Sequence, residues 1–144
     1  MMTLEAAKPR DLPLLFQLNK TLIDQYEDIS AIDYDRVLAW VEKNLEISLP
    51  HFRKILWNGK VAGFFCLIPG DSSWELDSLF VFPEFQGMGI GTQVLRHCQT
   101  LCPRLLLYVF RENVRAVSLY QRMGFCITKK TGKTRYIMEW KNQD

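Results

Sequence analysis

Residues 82–95, "FPEFQGMGIGTQVL", set three of the chain's eight glycines at alternate positions. The apolar run "LDSLFVF" ends just before them at Pro83, and a helical apolar pattern starts just after. Glycine costs backbone entropy, so its concentration at a strand-to-helix junction asks for a reason. A helix start leaves several N–H groups unpaired and carries partial positive charge. With no Cβ at Gly87, Gly89 and Gly91, those donors form a cradle for an anion, above all a phosphate. Gln86 adds a side-chain donor at the mouth, and Thr92 a hydroxyl in the first turn. Tight strand–helix packing is the plainer reading, but one tight turn does not require three glycines.

Two familiar phosphate loops fail on spacing. A dinucleotide fingerprint beginning at Gly87 needs Gly or Ala at the position of Thr92, and a P-loop needs a lysine that residues 83–95 lack. Around the junction, the periodicity predicts a short strand at Thr3–Ala7. A helix then starts near Asp11 and Pro13 with Leu12, Leu15, Leu18 and Leu22 on one face. A polar break follows at residues 23–30. A second helix after Asp33 would bury Val37, Trp40, Val41 and Leu45. "HFRKILW" and "KVAGFFCLI" flank the hairpin signal Asn58-Gly59, and "WELDSLFVF" is a third strand of this group. A helix from Ile90 stops at Pro103, "LLLYVF" is a buried strand, and Asn113–Met123 is a helix ended by Gly124. "FCITKK" and "RYIMEW" close the chain as a hairpin. The order predicts an α+β fold with a mixed central sheet covered by helices on both faces.

Length and composition narrow the class. The chain has 144 residues, which suits one domain over residues 1–144, and is 48% hydrophobic and 24% charged. A formal net charge of +2 advertises neither a nucleic-acid nor a membrane partner. No stretch reaches the roughly 18 apolar residues of a membrane span. "MMTLEAAKPRDLP" lacks the pattern of a signal peptide, so a cytoplasmic protein is expected. Cys66, Cys98, Cys102 and Cys126 then read as buried free thiols. His97, Cys98 and Cys102 lack a second ligand pair, so no metal is expected.

"QGMGIG" matches the Q/R-x-x-G-x-G/A signature of the GNAT N-acetyltransferase superfamily, and "LDSLFVFPEF" resembles that family's fourth strand. Downstream, "NVRAVSLYQRMGF", residues 113–125, resembles its Asn-x-x-Ala-x-x-x-Tyr-x-x-x-Gly-Phe pattern at every named position. The resemblance covers essentially the whole chain and is tightest over residues 76–125. It implies a mostly antiparallel sheet of about seven strands with four helices. In such a fold the fourth and fifth strands splay apart to hold acetyl-CoA.

The resemblance also implies roles. The pyrophosphate would sit on Gln86, Gly87, Met88, Gly89, Ile90, Gly91 and Thr92. The backbone of Leu79, Phe80 and Val81 would bond the pantetheine arm, and the Val81 N–H would polarise the thioester carbonyl. Asn113 would bond the co-substrate from the other side, with Ala116 leaving room. Tyr120 would protonate the departing sulfur; on spacing alone it reads as a core aromatic beside Val117 and Met123. Glu75 and Asp77 share a strand face by alternation and are candidate bases for the attacking amine, or simply solvent-facing polars. The family's N-terminal acetyltransferases carry a glutamate where this chain has Tyr108, which leaves the base open.

The acceptor amine is expected near the first two helices. There Asp24, Glu27, Asp28, Tyr26 and Tyr34 form an acidic, aromatic lip or a solvated loop. Phe110, Arg111 and Glu112 would face it from the fifth strand. Relatives are often dimers, sometimes through their last strands, which makes Arg135–Trp140 a candidate homodimer interface. A non-catalytic acyl-CoA-binding or sensing module is the alternative to an enzyme.

Overall fold

A computed structural model describes residues 1–143. Asn58 and Gly59 both take positive φ, 50° and 83°. They join β2 (Phe52–Trp57) to β3 (Lys60–Ile68) in the tight turn that this dipeptide favours. Strand β1 (Met2–Ala6) pairs antiparallel with β2, and β4 (Trp74–Val81) with β3. β5 (Arg104–Phe110) follows, and β6 (Cys126–Thr131) and β7 (Arg135–Lys141) form the closing hairpin. All seven strands make one sheet in the order β1-β2-β3-β4-β5-β7-β6.

Four helices complete the expected plan: α1 (Leu12–Tyr26), α2 (Tyr34–Ser48), α3 (Ile90–Leu101) and α4 (Val114–Arg122). Asp33 caps α2 by accepting from the Arg36 N–H, and Asn113 caps α4 by accepting from Ala116. Helices α1 and α2 cover one sheet face over Phe52, Phe64, Cys66 and Phe80. Helices α3 and α4 cover the other, over Ile55, Phe65, Leu105, Leu107 and Met138.

Two irregularities of β4 position everything that follows. It is parallel to β5, and the two pair only at Trp74–Leu105 and Glu75–Leu106 before diverging. The β3–β4 register also shifts: Cys66 faces Ser78 and Leu67 faces Leu76, so Asp77 has no partner opposite. That extra residue is a β-bulge. Leu76 therefore belongs to the core under α3 and α4, while Phe80, four residues on, belongs to the core under α1 and α2. In an unbroken strand those two would share a face.

Three expectations need correction. Helix α1 runs on through residues 23–26, because Ile23 lies two turns beyond Leu15 and is buried with it. Trp40 is 64% exposed, at the edge of the α2 stripe rather than within it. Cys126 is exposed, because β6 is the sheet's last strand, whereas Cys66, Cys98 and Cys102 are buried. Arg135–Trp140, the candidate interface, lies in β7, which is hydrogen-bonded on both sides by β5 and β6.

Candidate functional site

The divergence of β4 from β5 opens a cleft of about 700 Å³ that passes through the sheet. Alternation decides which backbone groups look into it. The Phe82 N–H bonds the Ala62 carbonyl of β3 at 2.8 Å, so Phe80 also turns its backbone toward β3. The N–H groups of Leu79 and Val81 point the other way, into the gap. Phe80 contributes a side chain to the lining instead of a backbone bond. Gln86 donates from Nε2 to the Val81 carbonyl at 3.0 Å, so part of the donor capacity expected at the loop's mouth fixes the end of β4.

The glycine loop forms the mouth on the α3 side. Gly87 and Gly89 take φ of 81° and 80°, and a Cβ on either would meet nothing within 4 Å. Their need for glycine is conformational: the chain must enter the left-handed region twice to turn from β4 into α3. Gly89 is the residue before the first turn of α3 and offers no side-chain cap, so the first-turn N–H groups remain open. Gly91 differs. A Cβ there would come within 2.9 Å of Leu119 Cδ2, so its role is close packing of α3 on α4. Met88 is exposed at the loop, Ile90 is buried in the core, and Thr92 is half-buried and lines the cleft.

Tyr120 and Ala116 line the α4 wall beside Asn113. Tyr120 is 8% exposed and its ring packs on Phe125 at 5.7 Å between centroids. Burial, with the neighbouring Cys98, pushes its phenol well above the ordinary tyrosine value. Among the described residues nothing hydrogen-bonds its hydroxyl, and no buried side-chain oxygen or nitrogen lacks a partner, so that hydroxyl borders the cleft. Asn113 spends Oδ1 on the Ala116 N–H at 3.4 Å and keeps its amide donors. Arg115 and Arg122 also line this side. The sequence reading missed them, although their spacing of two helical turns puts both on one α4 face.

On the opposite sheet face the cleft is lined by Leu22, Val37, Trp40, Asn44 and Phe82, with Glu75, Asp77 and Ser78 at its floor. Ser78 Oγ donates to Asp77 at 3.2 Å. Burial raises the Glu75 pKa, and the charge and hydrogen bonding of Asp77 add to it. The bulge leaves the two carboxyls in contact, as simple alternation would have done. Tyr108, 48% exposed, lines the other bank from β5.

The acidic lip is largely spent on internal contacts. Asp24 pairs with Lys20 at 2.8 Å and accepts from the Tyr34 hydroxyl at 2.5 Å. Asp28 caps the turn at Ser30. Glu27 accepts from Thr134 Oγ1 at 2.9 Å and meets Arg135 at 3.5 Å. Tyr26 stacks on Phe110 at 5.8 Å, and the Arg135 guanidinium lies 4.6 Å over that ring. Arg111 donates its guanidinium to the Lys133 carbonyl. This clamp ties the end of α1 to the end of β5 and to the β6–β7 hairpin, across the open side of the splay.

Comparison with known proteins agrees with this architecture. Residues 15–125 match the family model described as the acetyltransferase (GNAT) family. The peptidyl-lysine N-acetyltransferase YjaB of Escherichia coli K12 is 25% identical over 109 residues, 76% of this chain and 71% of that protein. Its Salmonella typhimurium counterpart is 37% identical over 67 residues, 46% of this chain and 44% of that one. The crystal structure of the PaiA N-acetyltransferase from Thermoplasma acidophilum in complex with coenzyme A superposes with a TM-score of 0.74. It is 19% identical and covers 98% of this chain and 99% of that one.

Proposed function

The chain belongs to the acetyltransferase (GNAT) family, and on that footing we propose that it moves an acetyl group from acetyl-CoA directly to a primary amine. One observation carries the reading. The cleft crosses the sheet, with open helix-start donors and two arginines on its α3–α4 side and a pair of carboxyls at the floor of its α1–α2 side. A polyanionic co-substrate suits the first side, and a cationic acceptor suits the second.

Acetyl-CoA supplies an activated thioester. The first-turn N–H groups of α3 bind its pyrophosphate, and the Leu79 and Val81 amides hold the arm that follows. The Val81 N–H faces the gap and stabilises negative charge on the acetyl oxygen as the amine adds. An amine reacts only as the free base, so its ammonium proton passes to Glu75, directly or through water. The amine nitrogen bonds the acetyl carbon, the carbon–sulfur bond breaks, Tyr120 gives its proton to the leaving sulfur, and the second proton shed by the acylated nitrogen passes through water to the Tyr120 phenolate. A phenol is protonated at neutral pH, so Tyr120 has a proton to give; burial holds it in that form. Asp77 touches Glu75 and helps set its proton affinity.

The test is thiol release from acetyl-CoA over a panel of primary amines, with mass measurement of the product. Amine-dependent release and an acetylated amine are expected. Tight coenzyme A binding with no release across the panel would overturn the catalytic reading in favour of a sensor.

A further inference from the structure

The α1–α2 side of the cleft has the chemistry of a particular acceptor. This inference rests on the acetyltransferase reading and adds the substrate class. Its floor is Glu75 and Asp77, neither of which has an ion-pair partner among the described residues. Two contiguous carboxyls without a counter-charge attract one ammonium group and favour both being ionised beside it. Above them the walls are mostly apolar, with Leu22, Val37 and Phe82 beside the amides of Asn19 and Asn44, and Trp40 projects at the rim.

A second cation on the acceptor would find nothing comparable. Glu75 and Asp77 are the only carboxyls lining the cleft among the described residues, and the acids at the end of α1, Asp24, Glu27 and Asp28, lie outside it. Each is held by Lys20 and Tyr34, by Thr134 and Arg135, or by Ser30. Desolvating a distal ammonium against Leu22 and Val37 is costly without a partner. An acceptor carboxylate would face repulsion from Glu75 and Asp77. Arg135, a cation that also lines the cleft, is engaged by Glu27 and lies over the Phe110 ring. What fits has one charged end and one greasy end.

We infer that the acceptor is a small monocationic primary amine on an uncharged apolar body, its ammonium at Glu75 and Asp77 and its body against Val37 and Trp40. An arylalkylamine is the simplest molecule of this class, and Trp40 offers it an aromatic face.

The experiment titrates 2-phenylethylamine, spermidine, phenylalanine and a lysine-containing peptide into the full chain saturated with coenzyme A, by calorimetry. The same four are then compared as substrates. Binding of 2-phenylethylamine at least about tenfold tighter than the others is expected. Trp40→Ala should raise its KM about tenfold and leave the KM for acetyl-CoA unchanged, with Trp40→Phe restoring most of the loss. Trp40 is mostly exposed, so the variant keeps its fold. Preference for spermidine, phenylalanine or the peptide, or indifference to Trp40→Ala, overturns the assignment. Selective amine binding without thiol release would support this class while defeating catalysis. Thiol release with the opposite selectivity would do the reverse.

Discussion

Removing one oxygen atom, in Tyr120→Phe, separates a catalytic tyrosine from a structural one. The hydroxyl makes no hydrogen bond within the described protein, and the ring is held by apolar contacts with Phe125 and the α3–α4 core. Deleting a bonded hydroxyl would cost about 0.5–1.5 kcal/mol, so here the change should stay within about 0.5 kcal/mol. For a chain of this size the Tm should then move by no more than about 2 °C. The chemistry should respond very differently. Loss of a positioned general acid lowers a rate by about a hundredfold or more, roughly 2.7 kcal/mol of barrier. Single-turnover thiol release at saturating amine measures this step free of product release, with thermal unfolding run alongside. Because burial pushes the phenol upward, the parent profile should show no alkaline fall from Tyr120 below a pH of about 10. An unchanged single-turnover rate would remove the acid role. A loss of more than about 1 kcal/mol of stability would refute the claim that the hydroxyl is unbonded.

Glu75→Gln should abolish the rise of kcat/KM with pH that deprotonation of the base gives. The raised Glu75 pKa means its contribution favours folding below the ordinary carboxylate range and is lost as pH rises through the raised value. The Gln variant should therefore unfold at higher denaturant than the parent near neutrality, the difference closing at low pH; equal midpoints at pH 7 would contradict this. Gly89→Ala faces open space but must hold φ near 80°, costing about 1–2 kcal/mol and tilting the α3 start. Calorimetry should show coenzyme A binding weakened about tenfold, and a change under about twofold would refute it. Gly63→Ala would put a Cβ 1.9 Å from the Phe80 carbonyl oxygen, prising β3 from β4. Denaturant unfolding should show a loss of about 3 kcal/mol or more, and a near-neutral result would mean that the strands part easily.

Local chemistry was legible in the sequence, and what depended on distant partners was not. The glycine loop, the Asn58-Gly59 hairpin and the helix starts at Asp33 and Asn113 are written in consecutive residues. The bulge at Asp77 is a mismatch of count between β3 and β4, and no stretch of β4 alone displays it. Trp40 satisfies a helical apolar pattern, yet it lies at the stripe's edge, where α2 borders the cleft instead of the core. Glu27 looks free because its partners, Thr134 and Arg135, lie over a hundred residues away, whereas Asp24 and Asp28 are held by Lys20, Tyr34 and Ser30 close by in the chain. Cys126 reads as apolar among Phe125 and Ile127, but its strand has a neighbour on one side only.

The brief pairing of β4 with β5 also governs cohesion. Beyond Glu75 and Leu106 the sheet is two leaves meeting along a seam, with the Leu79 and Val81 amides on its inner edge. A ligand arm laid along that edge takes the place of a missing strand and stitches the leaves together. Resistance to unfolding should therefore climb with acetyl-CoA concentration, and the amides of the seam should lose their hydrogens to solvent more slowly once the co-substrate is bound.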